Sequence, residues 1–295
     1  MTINPSQSNS ASQSPVALGQ PQTGWQTRLK PILITFVLFY LGFVLFIPAL
    51  NVFVQAFSGG MSGFLHTFTQ RAFLNAVKLT LWMAIITVPL NTVFGLSAAW
   101  AIGRNKRFPG RALLISIIDL PFSISPVVAG LMVVLLYGRN GWFGSLLDAN
   151  NIKIIFAVPG MVLATAFVSL PFVAREVIPV LEEIGTEPEE AAKTLGASSW
   201  QTFWRVTLPS IQWGLLYGVL LTNARAMGEF GAIAVVSGNI AGKTQTLPLF
   251  VEEAYKQYNT QSAYAAAVLL ACLAIVTMVA KALLERKIDD KGKAE

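Results

Sequence analysis

The sequence predicts an all-α membrane protein of six transmembrane helices with both termini cytoplasmic. Three observations carry this. The 295 residues are 54% hydrophobic and only 12% charged, against about 25% charged residues in soluble domains, and the mean hydropathy is +0.59. The apolar residues gather into six runs, each near the ~20 residues a helix needs to cross the hydrocarbon core. Lys and Arg are divided unequally between the two sets of ends of those runs. The composition argues against a soluble enzyme, a disordered chain or a disulfide-stapled one. The lone Cys272 cannot pair internally, and the lone His66 argues against a His-based metal site or a Ser-His-Asp triad. A net charge of +6 would suit nucleic acid in a soluble protein. In a membrane protein it reads as topology.

Residues 1–24 are Ser, Gln, Asn and Pro with almost no apolar content; they are expected to form a disordered cytoplasmic tail. The first apolar run is too long for a signal peptide and has no basic stretch of the right kind before it. Expected spans cover 31–57, 72–102, 112–137, 154–174, 213–237 and 262–284, giving one six-helix domain over 25–286 and a short cytoplasmic tail at 287–295. Strands of a barrel would show short alternating runs instead, and backbone in lipid must satisfy itself internally, which helices do. One set of flanks holds fourteen Lys and Arg, among them Arg28, Lys30, Arg104, Lys106, Arg107 and Arg111; the other holds six, Arg71, Lys78, Arg139, Lys153, Lys243 and Lys256. The richer side is the cytoplasmic one.

The cytoplasmic loop 175–212 is the most charged part of the chain. Its physics is helix–turn–helix. Pro188 suits a first helical turn, and Glu187, Glu189 and Glu190 favour that positive end. Ala191, Ala192, Lys193 and Leu195 form helix well, and Gly196 is a good stop. Ser198 with Gln201 makes a capping box for a second helix, carrying Trp200, Phe203, Trp204 and Val206 and ending at Pro209. Small side chains at Ala191 and Ala192 let another protein approach closely, and the aromatics would wedge into a partner's groove or pack on the membrane face of the chain.

The run EAAKTLGASSWQTFWRVTLP at 190–209 resembles the signature of binding-protein-dependent ABC importer permeases. It matches that signature at Glu190, Ala191, Ala192, Gly196, Leu208 and Pro209, with Val206 where Ile is commoner. Three further stretches, DLPFSISPVVAG at 119–130, ARAMGEFG at 224–231 and VVSGNIAGKTQTLPL at 235–249, resemble sulfate and molybdate permeases, the last most of all the CysW-type branch of sulfate/thiosulfate importers. The resemblance implies a type I ABC importer permease (MetI-like) fold in the cell inner membrane. It implies a coupling helix over 190–196 that docks on an ATPase subunit. It implies two copies of that ABC ATPase, a second permease subunit of CysT type, and an external sulfate/thiosulfate-binding protein, with ATP bound on the ATPase and no cofactor on this chain. A molybdate or tungstate permease of the same fold stays open as an alternative. An ion-gradient-driven secondary transporter would not be expected to carry the 190–209 signature, and an intramembrane enzyme would need a convergent constellation that one His and one Cys do not supply.

Asp119, Arg225 and Glu229 fall within spans, where each ionised group costs about 2.5–3.5 kcal/mol or more at a helix centre; each is expected to face the bundle, water or a partner. Arg225 and Glu229, four residues apart, share a helical face. They either line the path of a divalent oxyanion or form a structural pair that fixes helix packing or a gate. Pro121 and Pro126 in one span would free carbonyls and mark either a packing kink or, as the resemblance implies, a gate. The run 237–244 nearly reads as a phosphate-binding loop but has Ser237 where that pattern needs glycine, and Thr246-Leu247-Pro248 is expected to prevent the following helix. Lys243 there is a candidate outer-face contact. His66 is expected in an outer loop, Cys272 as a packed small hydrophobe, and Gly214 and Gly218 as a close helix contact.

Overall fold

The computed structural model describes residues 24–105 and 107–292, and every regular element among them is helical. The expected tail over 1–24 lies outside the described residues except for Gly24, as do Lys106 and 293–295. Of the described residues, those up to Leu50 form one unit and those from Asn51 a second.

The first unit holds α1 (Gly24–Leu41), a single π turn (Gly42–Phe46) and the start of α2 (Ile47–Ala56). Its side chains from Ile32 to Leu50 are apolar and almost all exposed. The stretch Pro31–Ala56 is long and apolar enough to cross a membrane.

The second unit is built around α4. After α3 (Gly60–Thr67), α4 runs through Arg71–Arg104. Gly95, Ala99 and Gly103 recur every four residues and give α4 a face without bulk. Against it lies α9 (Pro171–Ile184), which continues α8 (Val158–Ser169). A Cβ at Gly95 would stand 2.7 Å from Val173 Cβ, and one at Gly103 would stand 3.0 Å from Leu181 Cβ. On the other side of α9 lies α12 (Leu208–Met227), where Gly218 comes so near that a Cβ would meet Val173 Cα at 2.9 Å. The glycine pair read from the sequence is thus a close helix contact. Ala99, Val173, Val177, Leu181 and Ile211 fill the space between the three helices. The helix through α8 and α9 ends at Ile184, ten residues beyond the expected 154–174 span. Hydropathy falls at Arg175, but Val173, Ala174, Val177 and Leu181 keep helical spacing on the buried face.

Prolines shape the remaining elements. α5 (Arg111–Ser123) and α6 (Pro126–Tyr137) are bent by 111° at Ile124 and Ser125, so the expected 112–137 span is a broken helix. Pro126 drives Ser125 out of helical geometry, to ψ 138°, while Pro121 stays inside the last turns of α5. After α7 (Gly144–Ala149), α8 and α9 lead to α10 (Glu187–Thr194) and α11 (Ser199–Thr202). Contrary to expectation, Pro209 does not end the second loop helix. A π turn at Phe203–Thr207 widens the backbone just ahead of the ring, and helix continues into α12.

The expected 213–237 span is not one helix: α12 already begins at Leu208 and stops at Met227, and α13 (Gly231–Val236) resumes after a three-residue break. Pro248 also reads differently in three dimensions. Rather than preventing a helix it sits in the first turn of α14 (Leu247–Lys256), where its missing N–H costs nothing. The last helix, α15, covers Thr260–Gly292. His66 lies in the last turn of α3 rather than in a loop. Cys272 is exposed on α15 rather than packed. Phe73 and Ala76 of α4 meet Leu247, Phe250, Ala254, Ala263 and Ala266 in a second core between α4, α14 and α15.

The helices Arg71–Arg104, Val158–Ile184 and Thr260–Leu283 are, with Pro31–Ala56, long and apolar enough to span a bilayer, and the bent α5–α6 pair is another if it counts as one span. The close approach of α12 to α9 yields a stability prediction. Gly218→Val should cost about 1–3 kcal/mol through overpacking, seen as earlier thermal unfolding of the purified protein. Gly42→Ala, with nothing within 4 Å of its new methyl, should stay within about 0.5 kcal/mol.

Candidate functional site

The segment after α9 folds locally as its residue types dictate. Pro188 lies in the first turn of α10 beside Glu187, Glu189 and Glu190. Gly196 takes φ +85°, the left-handed conformation that terminates a helix, and its N–H donates to Lys193 O at 2.9 Å. Ser198 and Gln201 form the capping box of α11: the Gln201 N–H donates to Ser198 Oγ and the Ser198 N–H to Gln201 Oε1.

One carboxylate ties α10 to the long helices. Glu189 Oε1 lies 2.8 Å from Nη2 of Arg104, the final residue of α4, and also accepts from its Nε at 3.0 Å. Thr207, in the π turn, donates to the same oxygen at 2.6 Å. Arg104 Nη1 donates to the carbonyls of Leu181 and Gly185, both at 2.8 Å. The guanidinium therefore satisfies orphan carbonyls at the negative end of α9 while its planar fork grips α10. The two charged side chains are only 10% and 11% exposed. Four elements, α4, α9, α10 and the π turn, converge on this clamp. A second pair, Arg111 Nη2 with Glu182 Oε1 at 2.6 Å, ties the start of α5 to α9 nearby.

With Glu189 turned inward, α10 presents its opposite side. Glu190 and Ala191 are exposed, Ala192 is half-buried and Gly196 is exposed. Leu195 is also exposed, and Trp200 stands 70% exposed. Leu208 tucks against the core between α9 and α12, while Pro209 remains exposed. Sequence reasoning had Glu189 as a helix-dipole residue and Arg104 as a topology charge. The only local hint of the clamp was a glutamate directly before the 190–209 signature.

The charged residues that the sequence placed within spans form two separate pairs. Arg225 Nη1 lies 2.6 Å from Glu229 Oε2, the partnership expected from their spacing. Glu229 is only 1% exposed, and its other oxygen accepts from the Ala232 N–H at 2.8 Å, capping the start of α13. The pair thus spans the break between α12 and α13. Asp119 has its own partner: Arg175 Nε donates to Asp119 Oδ1 at 2.8 Å, and the guanidinium also lies over the Phe122 ring. Arg175 was not among the sequence candidates. Beside the Arg225–Glu229 pair, α6 and α13 touch backbone to backbone, since a Cβ at Gly130 would meet Ala232 O at 2.7 Å.

The loop resembling a phosphate-binding turn bonds to itself. Thr244 Oγ1 donates to Ser237 O at 2.7 Å and accepts from the Ile240 N–H. Gln245 Nε2 donates to Asn239 Oδ1. Lys243 is exposed on its rim. Among the described residues no group of three or more His, Cys, Asp or Glu is placed to hold a metal ion.

The chain belongs to the family described as binding-protein-dependent transport system inner membrane component, which matches residues 91–290. It is 69% identical to the sulfate transport system permease protein CysW of Synechococcus elongatus over 262 residues, covering 89% of this chain and 91% of that one. It is 40% identical to the CysT permease protein of the Escherichia coli K12 sulfate transport system, covering 81% of this chain and 87% of that one. Its fold also matches the crystal structure of a bacterial ABC transporter for the acidic polysaccharide alginate, at 18% identity and a TM-score of 0.75 over 89% of this chain and 96% of the other.

The clamp makes a quantitative prediction. Arg104→Ala strands a buried carboxylate and should cost about 3–5 kcal/mol, read as a lower unfolding midpoint and faster proteolytic nicking between residues 185 and 198. Thr207→Val should cost about 1 kcal/mol. Arg104→Ala combined with Glu189→Ala should recover part of the first loss, because no charge is then left unpaired.

Proposed function

We propose that this chain is the CysW-type permease subunit of an ATP-driven importer for sulfate or thiosulfate. The observation that carries the reading is the difference in identity within one organism, 50% to the CysW protein of Escherichia coli K12 against 40% to its CysT protein, with 69% to a cyanobacterial CysW protein. A CysT-type subunit is then the second permease, alongside two copies of an ABC ATPase and an external binding protein, in the cell inner membrane. The chain contributes no nucleotide site of its own. It crosses the membrane six times with both termini cytoplasmic, the bent α5–α6 pair serving as the third crossing and α12 as the fifth.

In this reading the ATPase docks on the exposed face of α10 around Glu190, Ala191, Ala192 and Gly196. Closure of the ATPase dimer displaces α10, and the clamp passes that displacement to α4 and α9 together. Because α12 packs on α9, the movement reaches the breaks at Ser125 and at residues 228–230. There α6 and α13 lie against each other, and Pro121 and Pro126 fix the bend. Arg225 and Glu229 hold the α12–α13 break in shape and do not form the anion site. Their charges neutralise each other, and the second Glu229 oxygen is engaged by α13. Asp119 and Arg175 brace α5 against α9. Lys243 is an outer contact for the binding protein.

Labelled-sulfate uptake tests this in a host lacking its own sulfate permeases, supplied with this chain, its ATPase, the binding protein and the CysT-type neighbour. ATP-dependent uptake should require the neighbour and resist excess molybdate. Uptake without the neighbour, or blocked by molybdate, would make the chain a self-pairing oxyanion permease. Arg225→Ala should abolish uptake, since Glu229 would be left buried without its partner, and survival of transport would remove the role given to the pair.

A further inference from the structure

The exposed side of α4 records where the bilayer lies. Trp82 and Trp100 are 59% and 46% exposed. They are eighteen residues apart, which is about five helical turns, so they share a face and stand roughly 27 Å apart along the axis. That matches the ~30 Å hydrocarbon core, and tryptophan concentrates at its two boundaries. Between them the face shows Ile85, Ile86, Val93 and Phe94. Its one hydroxyl, Ser97 Oγ, donates back to Val93 O at 2.7 Å and leaves no free donor. The opposite side of α4, packed on α9, is built on Gly95, Ala99 and Gly103. Helix contacts in membranes favour such small residues, which makes the bulky side the lipid side.

Trp100 therefore marks the end of the hydrocarbon on the side that carries α10. Its ring packs on Phe203, with centroids 6.2 Å apart. Phe203 in turn contacts Trp200 and Trp204, and those two contact each other at 5.5 Å. Trp200, Trp204 and Arg205 are all exposed. From this continuity we propose that Trp100, Trp200, Phe203, Trp204 and Arg205 form a lipid-headgroup site, which seats α11 and the following π turn in the interfacial layer of the bilayer. The indoles supply amphipathic rings and N–H donors at headgroup level, and Arg205 pairs with lipid phosphate. The coupling segment then has two surfaces with different partners: α10 for protein and α11 for lipid. The inference rests on the chain being membrane-embedded through α4.

The test uses the assembled importer in vesicles of phosphatidylcholine and phosphatidylglycerol containing lipid brominated near the headgroup. A fluorescent bimane is placed through Trp204→Cys or, as a control on α10, Lys193→Cys, each with Cys272→Ser. The label at position 204 should be quenched with the ATPase subunits present and equally after they are stripped, while the label at 193 should not. As a second readout that keeps the aromatic face nearly intact, Trp200→Phe with Trp204→Phe should reduce the part of the tryptophan emission that this lipid quenches, leaving the contribution of Trp82 and Trp100. Quenching at 204 no greater than at 193 would overturn the proposal. So would quenching that appears only after stripping, which would give the surface to the ATPase. ATP-driven sulfate uptake in the same vesicles reports the permease function separately, so failure of one leaves the other readable.

Discussion

A single carboxylate oxygen, Glu189 Oε1, is the point through which the exposed helix and the membrane bundle are joined. Three donors converge on it, two from Arg104 and one from Thr207. The rest of the guanidinium is spent on the carbonyls that close α9. A surface ion pair would be too weak to carry a mechanical load, since such pairs contribute about 0–1 kcal/mol. This one is mostly removed from water, and its parts cannot be exchanged one at a time without leaving a buried charge unmatched. That asymmetry makes α10 part of the bundle rather than an appendage on a flexible loop.

The clamp would be useless if the helices it grips were loose. They are not, because α9 is held from both sides by faces stripped of side chains. Gly95 and Gly103 on α4 and Gly218 on α12 bring backbones within reach of Val173 and Leu181. Close backbone approach replaces the hydrophobic drive that helices lack in lipid. The outcome is a rigid α4–α9–α12 block carrying one exposed helix at its end. Around it lie interrupted elements, α5–α6 and α12–α13, where the chain bends; the Arg225–Glu229 pair sits at the second bend.

Much of this was readable from residue types where cause and effect are close in sequence. Gly196 as a stop, Ser198 with Gln201 as a cap and Arg225 with Glu229 as a pair each lie within about one helical turn, and each formed. What escaped was of two kinds. Pairings across the chain, Arg104 with Glu189 and Arg175 with Asp119, join residues 85 and 56 apart, and nothing local selects one arginine from many. Backbone accommodation also escaped. A proline in an apolar run reads as a breaker, yet Pro209 follows a π turn and Pro248 opens a helix. Hydropathy likewise ends a span at its first charges, although the amphipathic pattern of α9 carries the helix on to Ile184.

The placement of Arg104 has an evolutionary consequence. Its distance from Gly95 and Gly103 is counted along one unbroken helix, and each added or removed residue would rotate everything beyond it by about 100°. A one-residue insertion after Gly103 would swing the guanidinium away from Glu189 while the glycines stayed seated on α9. An insertion before Gly95 would carry the clamp and the glycine face round together, out of step with the first half of the helix. The helix geometry thus predicts that relatives vary in length in the turns and not in the interior of α4, whose residue count sets the register of Gly95, Gly103 and Arg104 together.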